Sequence, residues 1–536
     1  MTIAGVFSPI ATASGSLDMS SFPRIGLAFA ALLFTMQAPA HDGPDAQEPA
    51  SSSSSLGTVT FANSGAPAAQ AAFLGGLASL HNFQYADAAA AFREAQAADP
   101  GFAMAYWGEA MTYNHPIWWQ QDLAAARMAL KKLAPDAKAR AERAATPREK
   151  EYLAAAEILF GEGEKYERDR RFALAMQALH RHYPDDLDAT CFYALALMGT
   201  ANRGRDIPTY MKSAALMQEA FEAHPQHPGA AHYLIHSVDD PVHAPLGLRA
   251  ARAYAKIAPD SPHALHMTSH IFLALGLWQD TVDANEAALR VAEAKRRARN
   301  KDARPPGCGH GESWLSYAYL EQGRFADARR MVMACFEDAR DHARPGGEGK
   351  VDGSLIESFH EVRTRYLIDT DEWDGPVAAL AVDTRGVPAA EFSHAFVQAY
   401  AASRGRDVAR LRKAVAVAEA AGQRLSASID REGLPPEHPQ RGALAIQLDE
   451  LRALLLLQSG RKDEAVTLLS KAARSERVLP MEFGPPSVEK PANELLGEVL
   501  LAEGRRREAR EAFEAALVLA PGRVQSTKGL AAAGSP

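Results

Sequence analysis

Histidine recurs in this chain in a pattern that could hold a metal ion. His232 and His236 stand four residues apart, and His266 and His270 repeat that spacing further along the chain. The step from the first pair to the second equals one helix–turn–helix repeat unit of about 34 residues. Residues four apart on an α-helix share a face, so each pair would offer two imidazole nitrogens side by side. His263 stands as far ahead of Gly276 as His310 does ahead of Gly323, which adds a flanking histidine to each neighbourhood. Neutral imidazoles on a rigid support suit zinc or copper, with iron or nickel less favoured. Asp239, Asp240 and Glu312 are close by in the chain. A carboxylate so placed can orient a ligating ring or serve as a base. His81 and His115 are separated by the same step; with Trp107 and Tyr113 they form a second candidate surface, for a bound ligand. The chain has no HExxH and no CxxC, and Cys308 sits in the loop-like run PPGCGHG, so it is set aside as a ligand.

A groove histidine has plainer uses. Duplication of a repeat copies a histidine at the repeat period, and a lone imidazole more often bonds a neighbouring group than an ion. Two in-phase pairs with two flanking histidines shift the balance toward the ion.

Delivery of those rings requires helices in register, and the sequence supplies them. The segment GGLASLHNFQYADAAAAFREAQAADP (75–100) places Gly76, Tyr85, Ala88, Phe92, Ala95 and Pro100 where a helix–turn–helix unit needs small contacts, aromatic fillers and a stop. The same phase returns at Gly276, Trp278 and Ala288, at Gly323, Phe325 and Ala328, at Gly460 and Ala465, and at Gly504, Ala509, Phe513, Ala516 and Pro521. Weaker units can be phased near 187–227, 228–261, 357–390 and 391–425, and two more over 103–186. These segments resemble the tetratricopeptide repeat family. The resemblance covers roughly residues 69–523, with about ten or eleven units. It implies an all-α fold, a right-handed α-α superhelical solenoid of helix hairpins. First helices would then line a concave groove that takes a peptide or protein partner. It carries no catalytic residues with it. On that architecture the two histidine pairs face the groove from adjacent helices roughly 8–10 Å apart.

The remaining organisation follows from composition. Arg24, the apolar run IGLAFAALLFTM and the small residues APA at 38–40 read as a signal peptide over 1–40, with Met19 as an alternative start. That predicts a periplasmic or secreted protein with no transmembrane segment in the mature chain. Residues 41–66 read as a disordered linker, 67–430 as the array that carries the histidine-lined groove, 431–523 as C-terminal repeats and 524–536 as a disordered tail. Three cysteines make no disulfide framework. A net charge of −8 argues against a nucleic-acid partner.

The reading is a helical scaffold with a metal-binding groove. Two alternatives use the same residues. One is a metal-dependent enzyme. Its hydrolytic form would take Asp239, Asp240 or Glu312 as base. Its oxidative form would use copper or iron with Tyr233 or Tyr113 nearby. The other is a metal-free scaffold that binds a peptide, a protein or a small ligand. Nothing in the sequence selects a chemistry, so enzymatic activity stays open.

Overall fold

The computed structural model describes residues 50–201, 204–300, 305–342, 353–405, 407–431, 438–481 and 483–534. The expected signal peptide at 1–40, and the linker as far as residue 49, lie outside the described residues. From Glu48 onward the chain is one compact unit. It is an all-α solenoid in which each helix packs mainly on its neighbours in sequence. No helix among the described residues is long and apolar enough to cross a membrane.

Local chemistry explains where the helices start. Asp186, Asp206, His227 and Ser261 each accept a hydrogen bond from the backbone N–H three residues on, which caps the helices Leu187–Gly199, Ile207–Ala223, Pro228–Val238 and Pro262–Ala274. Proline opens three of those four, where its missing N–H costs nothing. The turn into Trp278–Arg299 runs through Gly276 at φ +68°, a backbone conformation that favours glycine.

Three expectations are corrected. Part of the supposed linker is a β-hairpin, Ala50–Ser54 against Gly57–Phe61. Val59 and Phe61 alternate along its second strand and are both buried, Phe61 among Phe73, Trp107 and Tyr152. The supposed tail contains a helix, Val524–Gly534, held by Arg523 and by Ser526 Oγ on Glu494. The unit at 357–390 is a half unit. Gly353–Thr370 is helical, but Gly375, Pro376 and Gly386 turn the chain, and Arg363 donates to the carbonyls of Val377 and Ala378 where a second helix would pack. Val408–Arg431 and Pro439–Gln458 pack together, so the array and the C-terminal repeats are continuous there.

The concave side beside the histidines is filled by the chain itself. Pro228–Val238 is buried at every residue, and Pro262–Ala274 is buried from Ala264 onward. A helix buried on all faces has partners on both sides of its layer. Here the second partner includes the segment that leads into Ala492–Ala502: Phe483 lies against His236, His270 and His310, and Gly484 abuts Trp314. The C-terminal repeats also reach the central ones, since Trp278 Nε1 donates to Gly522 O at 3.0 Å. One disulfide, Cys308–Cys335, ties the start of His310–Glu321 to Phe325–His342, while Cys191 is free and buried.

Candidate metal centre

The step of one repeat unit does what the helix period requires. It puts His232 and His236 on Pro228–Val238, and His266 and His270 at the same positions on Pro262–Ala274. His263 sits in the first turn of the second helix, and His310 opens His310–Glu321 in the next hairpin. All four paired histidines are buried; His263 is half-buried and His310 exposed. They gather as two trios. One ligand atom from each of His232, His236 and His263 lies within 4.8 Å of the others, and the same holds for His266, His270 and His310.

The inner nitrogens of four rings are held by other groups. His232 Nδ1 lies 2.6 Å from the carbonyl of His81. His236 and His270 both place Nδ1 on Asp239 Oδ2, at 3.3 and 2.8 Å. His266 Nδ1 meets Asn285 Oδ1 at 2.7 Å; the Asn285 amide nitrogen donates to Thr281 O, which fixes the oxygen toward the ring. A carbonyl or carboxylate oxygen can only accept, so each of these Nδ1 atoms carries the proton. Whenever such a ring is neutral, its Nε2 is an unprotonated lone pair. Fixing one ring nitrogen so that the other is free is how proteins prepare histidine for a metal.

The electrostatics favour that state. Burial, with His310 adding to it, pushes His266 down to about 3, and burial pushes His270 down to about 3 against the opposing pull of Asp239. His232 is driven well below the usual imidazole range by burial and then by His236. Burial by itself would raise Asp239; the Arg205 guanidinium and the N–H groups of His236 and His270 outweigh it and hold Asp239 below the usual carboxylate range. Arg205 pairs with Asp239 and, at 3.4 Å, with Asp240.

Two nitrogen contacts follow. His266 Nε2 and His270 Nε2 face each other at 3.3 Å, lone pair to lone pair. His232 Nε2 and His263 Nε2 are 3.1 Å apart. His236 Nε2 is buried with no hydrogen-bond partner among the described residues. Aromatic rings close the hollow: Phe83 packs on His232, His236 and His263, and Trp314 packs on His266, His270 and His310. Phe83 itself holds a left-handed backbone, φ 52°, an uncommon state for a bulky residue.

The other sequence candidates fall elsewhere. Asp240 accepts from the backbone N–H groups of Val242 and His243 and contacts the His243 ring, so it organises the turn after the first helix. Glu312 folds back over Gly309 at the start of its own helix and joins neither trio. Trp107 is core, packed on Phe61, Tyr152 and Phe192. Tyr113 is half-buried beside that core, and His115 is stacked on Tyr85 with Nε2 on Thr112 O. Trp118 stands between His115 and His263. His81 is buried, its Nε2 on Asp188 at 2.7 Å and its Nδ1 on the Tyr233 hydroxyl at 3.1 Å. It serves the centre through its backbone carbonyl, and the Tyr233 hydroxyl points away toward it.

Sequence reasoning missed Asn285, Arg205, Phe83, Trp314 and Phe483. None of them shares the repeat spacing of the histidines, and each comes from a different element.

Gly229 lies against His81, and a Cβ there would come within 2.4 Å of His81 Nδ1. Gly229→Ala is therefore expected to displace His81, and with it the carbonyl that holds His232, at an overpacking cost of about 1–3 kcal/mol. Thermal denaturation measures it, and an unchanged melting temperature would show that the contact is soft.

No protein-family model matches the chain, and no curated protein matches it. Among solved structures it is similar to the APC/C hetero-tetramer Cut9–Hcn1 (10% identity, 87% of this chain and 76% of that one, TM-score 0.36). It is also similar to yeast Tom70 (14% identity, 87% and 94%, TM-score 0.37) and to the TPR domain of P58(IPK) (14% identity, 87% and 97%, TM-score 0.21). Likeness of this degree concerns helical-repeat architecture alone.

Proposed function

We propose that this chain is a helical-repeat scaffold built around a transition-metal centre in its six-histidine hollow. The observation that carries the reading is the 3.3 Å contact between His266 Nε2 and His270 Nε2. Both Nδ1 protons are committed to acceptors, so the two lone pairs repel unless a cation lies between them. An all-imidazole donor set favours zinc or copper. Asp239 and Asn285 orient the ligands and stay outside the coordination sphere. The Cys308–Cys335 disulfide is in keeping with a periplasmic or secreted location, where such bonds persist. Along this stretch the hollow already holds the chain's own Phe483, so a peptide partner would need a different face of the solenoid.

Element analysis of the purified full chain tests the proposal. Zinc or copper is expected in stoichiometric amount, and it should fall in His266→Ala and His270→Ala. A chain that carries no first-row metal and binds none tightly on titration would overturn the reading.

A further inference from the structure

Resting on that metal reading, we propose that the hollow holds two ions, one on His232, His236 and His263 and the other on His266, His270 and His310. A single ion could not gather all six. Among the six histidines, the sets whose ligand atoms close to within 4.8 Å are the two trios; Asp239 joins His236 and His270 in a further set between them, and His81, Asp188 and His227 form a fourth.

Within each trio the spacing suits one ion. A tetrahedral ion with metal–nitrogen bonds of about 2.0–2.1 Å sets its ligand nitrogens roughly 3.3 Å apart. The two closest nitrogen pairs stand at 3.1 and 3.3 Å, one in each trio. The buried, unpartnered His236 Nε2 supplies a further free donor to the first trio.

The repeat explains why there are two sites. Each consists of an H-x3-H pair on the first helix of one unit and the histidine at the start of the first helix of the next. The second site is thus a copy of the first, shifted by one unit. Each trio also has an outlet at its third member. His263 lines a surface cleft of about 560 Å³ with Phe83, Tyr85 and Pro262, and His310 is exposed.

The sites are linked. Asp239 Oδ2 holds His236 of one trio and His270 of the other, and those rings are 5.4 Å apart, centroid to centroid. Three protein nitrogens per ion leave a coordination position open at each, the arrangement of catalytic sites as opposed to closed structural ones.

The test is stoichiometry. The full chain is stripped with a chelator, dialysed against Zn(II) or Cu(II), and analysed for bound metal. Two ions per chain are expected. The accessible third ligands make the mildest probes: His263→Ala and His310→Ala should each retain one ion, with circular dichroism to confirm the fold. The paired variant should retain none. One ion in the parent chain, abolished by either variant, would overturn the two-ion proposal and leave the metal reading standing. Two ions that neither variant reduces, or both lost from either variant, would also overturn it. No bound metal in the folded parent would remove both proposals.

Discussion

Asp239→Asn is expected to weaken metal binding at both trios by about 10–100-fold, the usual cost of losing a group that orients a metal-bound histidine. The reason is geometric. One carboxylate oxygen accepts from His236 and from His270, and asparagine keeps the shape while losing the charge and half of the acceptor capacity. Its amide nitrogen cannot accept from either ring, so a rotated side chain would also turn an imidazole. Asp239→Ala removes more. It breaks the buried Arg205–Asp239 pair and leaves the guanidinium only the longer contact to Asp240, and breaking a buried pair costs about 3–5 kcal/mol. Metal titration with a competing chelator measures the first effect, and denaturant unfolding of the metal-free protein measures the second. Full affinity at both trios in Asp239→Asn would show that the rings are positioned by packing alone.

The second large effect lies outside the centre. Arg523 is buried and donates to three carboxylates from different parts of the chain: Glu321 at 2.9 Å, Asp369 at 2.6 Å and Glu494 at 2.8 Å. Glu494 also takes Lys490, and Glu321 accepts from the Val524 backbone. Burial raises Glu321 to about 7 against the opposing pull of Arg523. Arg523→Met leaves the acids buried and facing one another, so a loss of about 3–5 kcal/mol is expected. The loss should be greatest where the C-terminal helices meet the central repeats. Hydrogen exchange of residues 492–534 and the melting temperature would both report it. Unchanged protection there would mean that hydrophobic packing alone holds the end of the solenoid.

Much of the architecture was legible because repeat proteins are built from near-neighbour contacts. Gly76, Tyr85, Ala88, Gly276 and Gly323 mark the turns and close contacts of their own hairpins, so their meaning can be read locally. The histidine phase was legible for the same reason, since two helices at one period must present equivalent faces. The hairpin at 50–61 was hidden because its polar serine strand has no pattern of its own and is recruited by Val59 and Phe61. The helix at 524–534 was hidden because its anchors are Glu321, Asp369 and Glu494, each far away in the chain.

By itself, then, the sequence determined an all-α array of hairpins with two histidine pairs on equivalent helix faces, since helical period and tandem repetition are properties of neighbouring residues. Only the tertiary structure decided the rest. It sorted six imidazoles into two trios, and it set the Nδ1 atoms of four of them on the His81 carbonyl, Asp239 and Asn285. It also packed the Phe483 segment into the hollow. Those outcomes depend on where the solenoid brings distant segments together, and no local spacing encodes that.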